Sequence, residues 1–172
     1  LVETNHVMYT RGVEITANDG ATTLADTVAP IFDRTWQHFC SHRHTPSSGE
    51  ATYPAIVQKD NVVYFGHAVF NLYDSFGPQW VKQMVLNALN ILLPNPTLRH
   101  NGPTTMEATV NAQKAENRWV VHLLHYIPVN RAKRLSVIED VIPLHDVTVS
   151  VKVAQSVASV TCVPQQEALD FV

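Results

Sequence analysis

The period of apolar positions changes along this chain, and each change marks a new element. Val13, Ile15 and Ala17 alternate with polar residues, then Asn18-Asp19-Gly20 supplies turn chemistry and Thr22 to Val28 returns. That pattern predicts a hairpin over residues 7–28, ended by Pro30, which cannot donate to a ladder. Tyr53–Gln58 and Asn61–Phe65 predict a second hairpin around Lys59-Asp60-Asn61. The spacing then becomes helical. Trp80, Val81, Met84, Val85, Ala88, Leu89 and Leu92 form one apolar stripe with Lys82, Gln83, Asn87 and Asn90 outside it. A helix over 79–92 follows, with Pro78 at its first position, Gly77 as its cap, and Pro94 and Pro96 as its stop. Residues 67–76 hold a short preceding helix or an irregular segment.

Beyond the helix, Leu93–Pro103 carries three prolines and one glycine in eleven residues. It is the best domain boundary in the chain. After it the period is two. Met106, Ala108, Val110 and Ala112 alternate with polar residues, as do Val147, Val149, Val151 and Val153, so these strands have one wet face. Residues 119–126 and 135–142 are apolar on both sides and read as neighbouring buried strands, joined through the basic stretch Arg131–Arg134. Val157–Val163 and Ala168–Val172 close the set around Pro164-Gln-Gln-Glu167. The fold class expected is mixed α+β, with a small antiparallel β-sandwich in the second half.

Composition adds exclusions. With 172 residues the chain suits one large domain or two small ones, and its 45% hydrophobic content excludes a disordered chain. A net charge of −3, with twelve Lys plus Arg spread along the chain, leaves no basic face for nucleic acid. No apolar run reaches the roughly 18 residues that span a membrane. The polar N-terminus lacks a signal-peptide pattern. Cys40 and Cys162 require no disulfide, so a reducing compartment and a cytoplasmic location are expected. The chain begins at Leu1 rather than Met and reads as already inside a domain, so part of a longer protein is expected.

Candidate chemistry is sparse. His38, Cys40, His42 and His44 recur at a spacing of two, which on a strand would gather them on one face as a metal or thiol site. The turn composition of Ser41–Gly49 favours a packed, hydrogen-bonded loop instead. His122 and His125 are separated by an odd number, so they face opposite ways on one strand and cannot share a ligand. Glu139 and Asp140 are adjacent and fail the facing-carboxylate geometry of a glycosidase. Arg131, Lys133 and Arg134 suit a solvated hairpin end, or an ion pair between subunits or domains. Trp36, Trp80 and Trp119 suit core packing, or a sugar-stacking platform. No phosphate loop, dinucleotide loop or Ser-His-Asp order is present. No catalytic residue, metal or cofactor is assigned.

Several stretches together resemble a known family: Phe32–Pro46, Tyr53–Gln58, Asn61–Phe65, Leu86–Pro94, Val120–Pro128 and Ile138–Asp146. In order and spacing they resemble the C-terminal half of β-galactosidase-like proteins related to glycoside hydrolase family 42, over roughly residues 5–172. The resemblance implies a catalytic (β/α)8 barrel ahead of this chain, holding both catalytic glutamates. It places residues 1–98 at the end of a flavodoxin- or glutamine-amidotransferase-like α/β trimerisation domain, and 103–172 in a terminal β domain. A truncated doubly wound sheet would leave an open edge. The function implied is non-catalytic: oligomer assembly, as a trimer, and support of the barrel that handles the carbohydrate. Trp36, His38, His42, Arg43 and His44 become candidates for a substrate cleft or interface. Two other readings stand beside it, a carbohydrate-binding module and a metal- or thiol-dependent enzyme using the His38–His44 loop.

Overall fold

A computed structural model describes residues 3–32, 35–37, 40–41 and 45–172. The chain divides into two compact units, Leu1–Pro94 and Asn95–Val172.

The first unit is a three-stranded antiparallel sheet with a helix pair. Its strands are β1 (Thr22–Pro30), β2 (Ser47–Lys59) and β3 (Val62–Phe65), in spatial order β1-β2-β3. The β2–β3 hairpin forms as the sequence predicts. Lys59 pairs with Val62, and Asp60 takes a left-handed φ of 49° in the turn. The earlier hairpin does not form. The turn at Asn18–Ala21 closes, with the Ala21 N–H donating to the Asn18 carbonyl at 2.9 Å. However, β1 pairs with β2 instead of Val13–Ala17, from Thr22↔Gln58 to Pro30↔Ser47. The thirteen-residue β2 offers β1 a partner along its whole length. Val13 instead donates its N–H to the Gly66 carbonyl at 2.6 Å, and Gly12 bridges to His67. Pro54 lies in the central strand, which is tolerable because β3 pairs only with Ile56–Lys59 and the β1 register shifts nearby.

The helices are α1 (Val69–Phe76) and α2 (Gln79–Leu92). Pro78 is the residue before α2, extended at ψ 124°, rather than its first turn. Gly77 belongs to α1: at φ 59° it closes that helix, its N–H donating to the Tyr73 carbonyl. Val69, Leu72 and Val81 make the core cluster, with Met8, Phe65, Trp80 and Val85 packed against it. Leu89 and Leu92, on the predicted stripe, stay exposed. All described strand pairs here are antiparallel, so the flavodoxin- or amidotransferase-like arrangement is not confirmed.

The second unit is built of two-stranded ribbons. They are β4 (Leu98–His100) with β9 (Val149–Val151), β5 (Met106–Gln113) with β6 (Arg118–His125), β7 (Val129–Ala132) with β8 (Leu135–Val137), and β10 (Thr161–Cys162) with β11 (Glu167–Ala168). The segment read as a boundary thus contains β4. Asn101 fastens the β4–β9 ribbon: its side chain accepts from the Thr148 N–H at 2.8 Å and donates to the Asp146 carbonyl at 3.3 Å. The regular β5–β6 register runs from Met106↔His125 to Gln113↔Arg118, and Asn117 turns the chain at φ 49°.

Two expectations need correction here. The 135–142 run is not the neighbour of 119–126, because β8 closes a local hairpin with β7 around Lys133-Arg134. Arg131 therefore sits on a strand. Nor is β6 covered on both faces within the described residues: Trp119, Val121, Leu123 and Leu124 are all exposed. A two-stranded ribbon has no opposing layer of its own to cover it. The architecture is mixed and β-rich; a closed sandwich is not confirmed.

Candidate functional site

The excursion between β1 and β2, residues 31–46, is the most site-like feature of the first unit. Its base is pinned. Pro30 pairs with Ser47, and the Ile31 N–H donates to the Pro46 carbonyl at 2.7 Å. Ser47 adds a second tie by accepting from the Asn5 side-chain amide at 2.7 Å. The two ends of this sixteen-residue connection are thus held together, and such connections often carry function. Inside it, the Gln37 N–H donates to the Thr35 hydroxyl at 3.2 Å, and the Thr45 hydroxyl donates to the Ser41 carbonyl at 3.2 Å.

Burial within the loop is divided. Cys40 is 3% exposed, whereas Trp36 is 93% exposed. A buried thiol anchors the loop as a small apolar group. A wholly exposed indole costs hydration free energy unless something stacks on it, and sugars and apolar protein surfaces both do. Trp36 therefore leaves the core-packing role open to it in the sequence. His38, His42, Arg43 and His44 lie outside the described residues, so their metal, thiol and cleft roles have no geometry here. Among the described residues no group of three or more metal-ligating side chains gathers.

The other two tryptophans differ. Trp80 is half-buried and stacks on His6, ring centres 4.9 Å apart and 19° from parallel. Trp119 lies on β6. On that strand His122 faces Thr109 across the ladder, while His125 approaches the Thr105 hydroxyl at 3.2 Å. Their opposite sides follow the predicted parity. Cys40 and Cys162 are both thiols.

The basic group of the second unit is partly occupied. The Arg131 guanidinium meets the Glu139 carboxylate through two nitrogens; Nε donates to Oε1 at 2.8 Å, and Nη2 contacts Oε2. Both side chains are solvated. The Glu139 hydrogen bond pushes the Arg131 pKa above its ordinary value. Lys133 and Arg134 form the exposed turn. Glu139 is thus engaged by Arg131 at the surface, beside its exposed sequence neighbour Asp140.

What residue-by-residue reading missed is a surface. Trp119, Val121 and Leu123 stand opposite Ala112, Val110 and Ala108 in the ladder, and together they make one apolar face. The alternation in β5 signalled it, but the run in β6 suggested two covered sides.

No family model and no curated protein matches this chain. Among solved structures, α-L-fucosidase isoenzyme 2 from Paenibacillus thiaminolyticus is similar, with 37% sequence identity and a TM-score of 0.89. The match covers 97% of this chain and 26% of that one, so the chain spans about a quarter of the length of its structural neighbour. No helix among the described residues is long and apolar enough to cross a membrane.

Proposed function

We propose that this chain is a non-catalytic region of a larger glycoside hydrolase, supporting a catalytic domain that lies elsewhere in the polypeptide. The observation that carries this is the lopsided match. Nearly all of this chain corresponds to a minor share of an enzyme named as an α-L-fucosidase. The local chemistry agrees, since Glu139 is held by Arg131 and Asp140 neighbours it rather than facing it. In this reading the loop 31–46 reaches a sugar cleft, of its own catalytic domain or a neighbour's, with Trp36 at its exposed point. A β-galactosidase-like parent, a trimeric assembly and a cytoplasmic location are the finer parts of the same proposal.

The test compares the chain alone with the chain in its full coding context, using 4-nitrophenyl α-L-fucoside and β-D-galactoside. Turnover of either sugar by the long form and none by residues 1–172 is expected. Turnover by the short chain overturns the proposal. In the long form, Trp36→Ala should raise KM about tenfold, the loss of one aromatic stacking contact, with kcat changed less. The exposed indole also favours a second reading, a carbohydrate-binding module. Titrating the isolated chain with galactosides and fucosides separates them, because only a module quenches tryptophan fluorescence saturably.

A further inference from the structure

The β5–β6 ribbon has two unlike faces. Cross-strand partners in an antiparallel ladder share a face. One face carries Met106, Ala108, Val110 and Ala112 opposite His125, Leu123, Val121 and Trp119. It holds no carboxylate, amine or guanidinium. The other face carries Glu107, Thr109, Asn111 and Gln113 opposite Leu124, His122, Val120 and Arg118, and is mostly polar. Such division specifies one side for water and one for protein. On the apolar side Met106 is buried and Ala108, Val110 and His125 are half-buried, yet Trp119, Val121 and Leu123 are open, Trp119 at 44% and Leu123 at 45% exposure.

Surface area says how much is left open. Two independent globules sharing this chain's 19.2 kDa would expose about 10,000 Å². The chain exposes 14000 Å². The excess, about 4,000 Å², is spread over the whole chain, and the open part of this apolar face is one share of it. Obligate interfaces are apolar at their centre and rich in aromatic residues, which describes the face around Trp119.

We infer that this apolar face is an internal domain interface, covered in the full protein by another domain of the same polypeptide. The inference rests on the proposed membership of a longer glycosidase. Its occupant follows from the structural neighbour, in which a module like this one is joined to roughly three times its own length of further chain. A charge-free face beside such a length of tethered chain meets a partner at high effective concentration, so an intramolecular cover forms before a second copy can.

The test uses the full-length protein with the photo-crosslinker p-benzoylphenylalanine in place of Leu123, and in place of His122 on the polar face as control. Irradiation should join position 123 to a peptide outside residues 1–172 within one polypeptide, and position 122 to nothing. Hydroxyl-radical oxidation of Trp119 should also fall about fivefold from the isolated chain to the unsubstituted full-length protein, as for a desolvated interface centre. That second measurement needs no substitution and so survives a misfolded variant. A covalent dimer overturns the inference, as does equal oxidation of Trp119 in both forms, or a coding sequence with no further domain. Glycoside turnover is scored separately. An intramolecular crosslink in an inactive protein keeps the interface and removes the functional proposal, and a crosslinked dimer of an active glycosidase does the reverse.

Discussion

The two units of this chain solve the same burial problem with different success. Among the described residues, six of the seven buried apolar residues lie in the first unit, among them Leu72 at 0% exposure; in the second, only Met106 is buried. The difference follows from topology. In the first unit β2 pairs on both sides, and two helices joined by Gly77 bring Val69, Leu72 and Val81 together. In the second, each ribbon has one pairing and two open edges, and a two-stranded ribbon is marginal by itself. The first unit is thus built around its own core, and the second buries little within itself.

Leu72→Ala should have the largest effect. Removing a fully buried Leu costs about 4 kcal/mol through lost transfer free energy and the cavity left behind. Met106→Ala in the second unit should cost about 2 kcal/mol, because its surroundings are half-open and collapse easily. Urea titration read by hydrogen exchange on separate peptides measures each unit in the same sample. Equal losses at the two positions would break the contrast, since they would mean that the second unit has a tight core of its own.

The contrast was only partly legible in the sequence. Helix α2, the β2–β3 hairpin and the alternation of β5 could be read because their signals are local: a 3.6-residue stripe, a tight turn, a period of two. The pairing of β5 with β6 could not, since the apolar run of β6 suited 135–142 as a neighbour equally well. The β1–β2 and β4–β9 pairings could not, because their partners stand far apart in the chain and nothing in Thr22–Pro30 names Ser47–Lys59 over the nearer Val13–Ala17. Gly77 was assigned to the wrong helix for a related reason. A glycine between two helices can end one or begin the next, and only its left-handed φ of 59° decides. For the candidate site, parity correctly separated His122 from His125. The exposure of Trp36 was not legible, since the sequence around it is as aromatic as a core segment.

That assignment makes a mid-sized prediction. A Cβ at Gly77 would meet nothing within 4 Å, so Gly77→Ala introduces no collision. Its cost is that of a left-handed backbone alone, about 1 kcal/mol. The loss should appear in the exchange of α1 and α2 and leave the β5–β6 peptides unchanged. A loss in both regions would mean that the two units unfold as one.

The smallest effect is expected at Glu139→Gln, and it sharpens the contrast most. In the isolated chain Arg131 and Glu139 are solvated, and exposed pairs contribute little to stability. The substitution should leave the urea midpoint of residues 1–172 unmoved, at low and at high salt. The pH dependence follows from the direction of the Arg131 shift. Its pKa is raised in the folded state, so what the pair contributes is fully present below the ordinary arginine value and is lost only as the pH rises through the higher folded one. Arg131 thus adds no slope across the neutral range. In the full-length protein the outcome can differ, because Ile138 and Val141, which flank Glu139-Asp140 in the chain, are exposed here. If a domain covers them, the pair leaves water with them, and removing one partner strands the other charge. A midpoint that falls only in the full-length protein would place the cover over β7–β8 as well as over Trp119. An unmoved midpoint in both forms would confine it to the β5–β6 face.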